Sequence, residues 1–317
     1  MLTRGDSKRL FEKKTLTMKT TTDSHTSGTR TLKARIHRLM AAFFLVSLPT
    51  LCAQPLHLLN GLELVEQILD VQHQGIFVDA NQVEINRYGG SWNSANDPSY
   101  IQFQDLQQGI LPGNNTTCSP FVTHLLKTTY NWSWYSHPFF DPIQNKIVKT
   151  SSPSSYRYVA LIEQGVGFEA QIPTLDQVQP GDIMAIHYLG STGGHTTLVA
   201  NVDWASIKAY PSEHANADPS LAGTFYVEVN VIDSSNGHHT NDSRMVTVNG
   251  QTIETHGLGI GTMGVLIDSG FNALGYTWSL PTSDYETKKT GWLNGLHSRL
   301  HLQSERKMVF GRLQELP

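Results

Sequence analysis

Apolar and polar residues alternate in three successive segments of the second half of the chain, at 183–189, 195–202 and 225–233. A period of two predicts strands, and the glycine-rich turn at 190–194 predicts that the first two form a hairpin. In the first half, apolar residues recur at helical spacing, as in 60–69 and 156–165. Helices followed by strands are typical of the α+β class, so we predict one mixed domain over residues 54–317.

The stretch 114–126 predicts a polar turn followed by a helix that begins near Cys118. Its apolar side chains share one face, at the spacing of a buried stripe: Phe121, Val122, Leu125 and Leu126. Thr116 or Thr117 is suited to cap this helix. Cys118 would then lie at a helix N-terminus, where free amide donors and the helix dipole favour the nucleophilic thiolate.

Basic residues are concentrated at the beginning of the chain. The first 39 residues hold 10 of the 23 Lys and Arg but only 3 of the 27 Asp and Glu, and a short apolar run follows at 40–53. This order is typical of a secretory signal peptide, here at about residues 33–53, and the run is too short to span a membrane. We therefore expect residues 1–53 to direct export to the periplasm or beyond, with no membrane insertion after cleavage. A retained anchor is the alternative.

The remainder of the chain is acidic and contains one cysteine. From Gln54 onward there are 13 basic and 24 acidic residues, a net charge of −11 with neutral histidines. Nucleic-acid binding needs a basic surface, so that class of function is disfavoured. With Cys52 lost near the cleavage point, Cys118 has no intramolecular disulfide partner, and this favours a reactive thiol.

A cysteine at a helix start and a histidine at a strand start are the parts of a cysteine hydrolase. His195 is placed to accept the Cys118 proton, and a third polar group would orient its ring. Asp233, Asn230 and Glu228 on the next predicted strand are the candidates. Strand alternation places Asp233 on the opposite face from the other two, and we favour Asp233 because it ends the strand beside a polar loop.

Three blocks, at 117–122, 179–184 and 194–199, resemble in order and spacing the signature blocks of the NlpC-type cell-wall cysteine peptidases. The segment 231–235, with 242–244 and 259–261 behind it, is similar to a divergent bacterial branch in which the third triad member is an aspartate. The resemblance covers roughly residues 85–313. It implies a papain-like α+β core, with the nucleophile helix packed on a central antiparallel sheet. It also implies cleavage of the D-γ-glutamyl–diamino-acid bond of peptidoglycan stem peptides, or of another peptide amide.

The chain departs from the family pattern beside the nucleophile. Thr117 stands where the family usually has Asp, and Pro120 stands where it has Gly. The upstream aromatic that assists the oxyanion hole in the family could be Tyr88 or Tyr100, and Ser119 is a further candidate for contact with the substrate. These departures keep open a second interpretation, in which an inactive papain-like domain serves as a binding or host-interaction module.

We expect neither a metal nor an organic cofactor. The competing metal hypothesis involves residues close in sequence, namely His238, His239, His256 and Asp242. Adjacent histidines on a strand point to opposite faces, which is poor geometry for chelation. Four formal N-glycosylation sequons begin at Asn114, Asn115, Asn131 and Asn241. A glycan at Asn115 would crowd Cys118, so we expect a bacterial protein or unused sites.

Overall fold

The structure is a computed structural model that describes residues 54–210, 218–280 and 300–314. The predicted signal peptide and the whole segment 1–53 lie outside the described residues. The described part contains three α-helices and an eight-stranded antiparallel sheet, which confirms the predicted α+β class. Within it, no helix has the length and apolar character needed to cross a lipid bilayer.

The helices are α1 (Leu56–His73), α2 (Cys118–Tyr130) and α3 (Ser155–Gln164). A small three-stranded sheet has the order β1 (Asn86–Tyr88), β3 (Gly113–Thr116), β2 (Tyr100–Gln102). Two hairpins pair β4 (Phe139–Asp141) with β5 (Lys146–Val148), and β10 (Met245–Val248) with β11 (Gln251–Glu254). The large sheet has the order β14 (Leu300–Leu302), β13 (Ala273–Thr277), β12 (Gly257–Ile267), β9 (Phe225–Ser235), β8 (Gly194–Ala209), β7 (Ile183–Tyr188), β15 (Arg306–Leu313), β6 (Phe168–Ile172).

Helix α1 begins earlier than the sequence pattern predicts. The pattern places a capping box at 60–63, but the helix starts at Leu56, directly after Pro55. The fixed φ of proline suits the entry to a helix. The Asn60 side chain does not cap; it donates a hydrogen bond to Thr129 Oγ1 of α2 over 2.9 Å. A polar residue that resembles a cap therefore joins two helices instead.

One hydrophobic core lies between the helices and the large sheet. The four apolar residues predicted to form the buried face of α2 are all 0–1% exposed. Gly61 of α1 lies close to the side chains of Leu125 on α2, Leu198 on β8 and Ile232 on β9. Helix α1 therefore packs against both α2 and the sheet at this glycine. The helix that begins with Cys118 is thus packed directly on the strands that carry His195 and Asp233.

A second core lies on the other face of the sheet, which curls around it. This core includes Val199 of β8 and Val231 of β9. Arg306 of β15 donates from Nη1 to the Tyr276 hydroxyl of β13 over 3.0 Å, although four strands lie between β13 and β15 in the sheet. An open flat sheet could not bring these strands together, so the sheet is rolled toward a barrel.

The small sheet is joined to the large one through polar side chains. The Asn86 side chain accepts from the Leu258 backbone N–H and donates to the Leu258 carbonyl, over 2.7 and 2.8 Å. Ser234 Oγ donates to the carbonyl of Thr116 over 2.6 Å. Because Thr116 lies two residues before Cys118 and Ser234 follows Asp233, this bond fixes the start of α2 beside the end of β9.

Candidate active site

Cys118 is the first residue of α2, as the sequence predicts. Thr117 occupies the N-cap position with extended backbone angles, but its side chain makes no capping bond. The other predicted cap, Thr116, donates from Oγ1 to Asn114 Oδ1 over 2.6 Å, and both residues lie in strand β3 where the sequence pattern predicted a polar turn. The amide groups of the first helical turn have no intrahelical acceptors, so they can face the thiol or a bound oxyanion.

The Cys118 side chain is largely buried, with 7% of its surface exposed. Its Sγ lies 3.5 Å from Ser155 Oγ, which accepts a hydrogen bond from Thr196 Oγ1 over 3.0 Å. Burial alone would raise the pKa of the thiol. The charge and hydrogen bond of His195, with smaller contributions from Ser155 and the Thr196 backbone, outweigh this, and the pKa lies below its ordinary value of 9.0. The site therefore favours the thiolate.

His195 lies between Cys118 and Asp233. Its Nε2 is 2.5 Å from Asp233 Oδ2, so Nδ1 is the ring nitrogen left to face the thiol. Burial lowers the pKa of His195, but the charge of Cys118 and the hydrogen bond to Asp233 raise it to about 9 overall. The opposite shifts of the thiol and the imidazole describe a thiolate–imidazolium pair, the form in which a cysteine nucleophile is ready to react.

Asp233 is fully buried at the centre of a charged network. Its Oδ2 also receives His239 Nε2 at 3.0 Å, and its Oδ1 lies 3.2 Å from Arg244 Nη1. Arg244 in turn binds both carboxylate oxygens of Asp242, over 2.8 and 2.6 Å. Burial would raise the pKa of Asp233, yet the charges of His239 and Arg244 hold it well below its usual range. The carboxylate stays ionised and can orient the imidazolium of His195.

Two glycines of β12 provide the space for this network. A Cβ at Gly259 would lie 2.8 Å from Arg244 Cγ, and one at Gly261 would lie 2.6 Å from His239 Cβ. Real Cβ atoms do not approach this closely, so any side chain at either position would displace its neighbour. Gly259 pairs with Asp233 across the sheet. This register places the side of β12 that lacks side chains, at Gly259 and Gly261, next to the Asp233 carboxylate.

The other two candidates for the third triad position have different partners. Glu228 lies 3.6 Å from Lys208 Nζ, and Asn230 Oδ1 accepts from Thr262 Oγ1 over 2.8 Å. Of the three residues that the sequence left as alternatives, Asp233 is the one in hydrogen-bond contact with His195.

Of the two upstream tyrosines, Tyr88 of β1 pairs with Thr116 of β3, two residues before Cys118. Burial raises the pKa of Tyr88, and the charge of Cys118 raises it further, so the hydroxyl stays protonated and can donate. Tyr100 lies on β2, at the edge of the small sheet away from β1, and lines a small cleft with Asp79 and Gln102. Ser119 is buried beside Cys118 in the first turn of α2, and its carbonyl accepts from Thr123 Oγ1.

The potential metal-ligand atoms that lie together belong to His195, Asp233 and His239, all within 4.8 Å of one another. His238, which the competing metal hypothesis groups with His239, has its ring nitrogens on Thr255 O and Glu254, over 2.9 and 3.0 Å. A divalent cation held by the first group would replace two hydrogen bonds to Asp233 and lie near the Arg244 guanidinium. This charge arrangement suits an orienting carboxylate better than a metal ligand.

Four residues of the site carried no sequence signal for their position: Ser155, Tyr188, His239 and Trp278. The Trp278 ring lies edge-on to His195 with a centroid distance of 4.6 Å, and its carbonyl bonds His239 Nδ1 over 2.8 Å. Long-range folding brings these residues to the site, and a lone serine or tryptophan has no spacing that marks it. The sequence did place His239 in a polar cluster, but assigned that cluster to a different chemistry.

The amides of two predicted sequons are used inside the structure. Asn114 and Asn115 are 0% and 5% exposed, and their Nδ2 groups donate to Arg87 O and Asp97 Oδ1. Neither side chain can carry a glycan in this fold.

Comparison of the chain with protein-family models, with curated proteins and with solved structures gives no match. Inference about function therefore depends on the geometry of the site and on the three sequence blocks.

Proposed function

We propose that this protein is a cysteine hydrolase of the papain-like, NlpC type that cleaves a peptide or amide bond through Cys118, His195 and Asp233. The single observation that carries the proposal is the arrangement of His195, whose Nε2 is 2.5 Å from a buried carboxylate while its ring pairs with a thiol at a helix N-terminus. A histidine with a purely structural role does not require a thiol on one side of its ring and an ionised carboxylate on the other, whereas a general base in a triad does.

In the proposed reaction, the Cys118 thiolate attacks the carbonyl carbon of the scissile amide and the carbonyl electrons move to oxygen. The His195 imidazolium then gives its Nδ1 proton to the leaving amine as the C–N bond breaks, which leaves a thioester on Cys118. Neutral His195 next accepts a proton from water, whose oxygen attacks the thioester and releases the acid and the thiol. Throughout both halves, Asp233 holds the ring in one orientation.

The negative oxygen of each tetrahedral intermediate needs donors. The Cys118 backbone N–H at the start of α2 supplies one, and the protonated Tyr88 hydroxyl is placed to supply a second. Preorganised donors of this kind are typically worth about 3 kcal/mol each in transition-state stabilisation. We therefore assign Tyr88, rather than Tyr100, to the oxyanion hole.

Peptidoglycan stem peptides are the first substrates to test, because the sequence resemblance implies them, and the predicted signal peptide would deliver the enzyme to the periplasm or beyond. The chemistry of the proposed triad requires an acyl carbon with a leaving group and room for attack by Cys118; it does not by itself distinguish one peptide from another. Screening should therefore include stem peptides with a γ-glutamyl–diamino-acid bond and ordinary α-linked peptides.

The decisive experiment measures the iodoacetamide labelling rate of Cys118 against pH in the wild type and in His195→Ala. A thiolate paired with an imidazolium should react rapidly below neutral pH, with an apparent pKa well under the ordinary 9.0, and His195→Ala should raise that pKa. The control is Asn230→Ala, on the same sheet but bonded to Thr262. An ordinary thiol titration that is indifferent to His195 would reject the enzyme.

A binding module is the second candidate, and the 7% exposure of Cys118 is the observation in its favour. A buried thiol beside Pro120 could be the remnant of an inactive site. Under this alternative, iodoacetamide would label Cys118 slowly at every pH at which the protein is folded, and no peptide amide would be cleaved. Rapid labelling at low pH would exclude it.

A further inference from the structure

The end of the large sheet that carries His195 also carries a cation. Ile186 of β7 pairs with His195, and two residues further along the same strand Tyr188 pairs with Arg306 of β15. Tyr188 and Arg306 therefore lie at the same end of the rolled sheet as the proposed triad. Residues of the mouth of a barrel are common contributors to a binding site.

Arg306 is held there without a carboxylate. Its guanidinium carbon lies 4.2 Å from the centroid of the Tyr188 ring, and Nη1 donates to the Tyr276 hydroxyl over 3.0 Å. Within residues 54–210, 218–280 and 300–314, no acidic group forms an ion pair with it. The other described arginines each bind a carboxylate: Arg87, Arg157, Arg244 and Arg312. A half-buried guanidinium fixed by stacking and one hydrogen bond retains donors for an incoming anion.

The Tyr188 ring connects Arg306 to the nucleophile. Burial raises the pKa of Tyr188, the charge of Arg306 lowers it, and the charge of Cys118 raises it further. A side chain that contacts Arg306 on one side therefore experiences the charge of the reacting sulfur on the other. A substrate spanning this distance would place one group at Cys118 and another at Arg306.

We propose that Arg306, stacked on Tyr188 and held by Tyr276, binds a carboxylate of the substrate, so that the preferred substrate is a peptide amide with a free carboxylate beside the scissile bond. This inference rests on the proposed function. The physical reason is the contrast between this cation and the rest of the domain. Residues 54–317 carry a net charge of −11, which repels anions generally. The Arg306 guanidinium, which forms no ion pair with an acidic group among the described residues, can then select an anion by fork-like hydrogen bonds at a defined position.

The test uses Cys118 alkylation by two matched reagents, N-iodoacetylglycine and its neutral amide, N-iodoacetylglycinamide. In the wild type the anionic reagent should alkylate Cys118 faster than the neutral reagent does. Arg306→Gln should lower the ratio of the anionic to the neutral rate by about tenfold, the size of a lost charge-assisted hydrogen bond. Arg306→Lys should fall between, since it keeps the charge but not the fork.

The matched control is Lys307→Gln, which changes the net charge equally at the next position, where Lys307 pairs with Glu163. It should leave the ratio unchanged. An equal ratio in wild type and Arg306→Gln would overturn the carboxylate site. Should Arg306→Gln fail to fold, Arg306→Lys decides: a ratio equal to that of the wild type also overturns it.

The two proposals fail in different ways. If the neutral reagent labels Cys118 as an ordinary thiol, the hydrolase fails, whatever the ratio shows. If labelling has the low apparent pKa of an ion pair but the ratio of the two rates is the same in the wild type and in Arg306→Gln, the hydrolase proposal stands and the carboxylate-site proposal fails. If both hold, matched peptides that differ only by Glu or Gln beside the scissile bond should differ in kcat/KM in the wild type and converge in Arg306→Gln.

Discussion

The protonation of two residues sets the expected pH dependence of the reaction. Attack requires the Cys118 thiolate, whose pKa lies below the ordinary 9.0, and expulsion of the amine requires the His195 imidazolium, whose pKa is raised to about 9. Activity should rise as the pH passes through the lowered pKa of Cys118 and fall as it passes through about 9.

A profile of kcat/KM against pH on a cleaved peptide amide would test this, since it reports the ionisations of the free enzyme. The expected curve is bell-shaped, and its two limbs belong to the pair rather than to either residue alone. A profile that keeps rising well beyond pH 9, with no alkaline limb, would show that the imidazolium is not the acid and would contradict the assigned role of His195.

Asp233→Asn tests the orienting residue. The asparagine amide can accept a hydrogen bond from His195, but it has no negative charge to stabilise the imidazolium. The apparent pKa of the His195–Cys118 pair in the alkylation profile should therefore shift by about one to two units toward that of the isolated groups. Because His239 and Arg244 lose a buried counter-charge, the free energy of unfolding should fall by about 3–5 kcal/mol. Urea denaturation measures the second effect.

Asn230→Ala is the matched control for that variant, because Asn230 lies on the same strand and is bonded to Thr262. It should leave the alkylation profile unchanged and lose at most about 1.5 kcal/mol for the broken hydrogen bond. If Asp233→Asn behaves in the same way, the carboxylate is a structural group and the triad is reduced to a dyad.

At the scale of single elements, the glycines of β12 give a direct test of the charged network. Gly261→Ala would place a Cβ 2.6 Å from His239 Cβ, so His239 must move from Asp233. Overpacking of this kind costs about 1–3 kcal/mol. The expected result is a lower midpoint of urea denaturation together with slower Cys118 labelling at low pH.

Gly270→Ala is the comparison, since a Cβ there would meet only the flexible side chains of Asn272 and Asp268 at the exposed turn after β12. It should change neither quantity appreciably. Normal labelling in Gly261→Ala would mean that His239 does not act on the site through Asp233, even if the variant is less stable.

The elements that the sequence predicts are those with strong local patterns. The strands β7, β8 and β9, the turn between β7 and β8, and the helix α2 all have a clear period or turn signal, and all are present. The sequence pattern missed short strands such as β4, β5 and β14, because three residues are too few to show a period. It also assigned the start of α1 to Asn60, whose side chain makes a tertiary contact that local rules do not describe.

For the proposed site, the sequence singled out Cys118 and His195 from their positions at the start of elements, and it favoured Asp233 because this residue ends its strand beside a polar loop. It could not choose between Tyr88 and Tyr100, because only the order of the small sheet decides which tyrosine faces the large one. It could not find Arg306 at all, since the rolling of the sheet that joins β13 to β15 is a property of the whole fold.

At the scale of the whole molecule, the helices and the sheet should unfold together, because one contact region joins them. Leu125 of α2, Leu198 of β8 and Ile232 of β9 all meet Gly61 of α1, and all three are 0% exposed. The helix that begins with Cys118 and the strands that carry His195 and Asp233 thus share a core. Loss of packing there should separate Cys118 from His195 as well as destabilise the fold.

Leu198→Ala is therefore expected to lower the free energy of unfolding by about 2–5 kcal/mol, the range for a buried leucine truncated to alanine. Urea transitions followed by tryptophan fluorescence and by loss of the low-pH labelling of Cys118 should coincide in the wild type and in the variant. Truncation of Leu106, which is 82% exposed, is the control and should leave both transitions in place. If labelling is lost at a lower urea concentration than fluorescence in either protein, the helical side opens separately from the sheet, and the triad is held together by local hydrogen bonds rather than by the shared core.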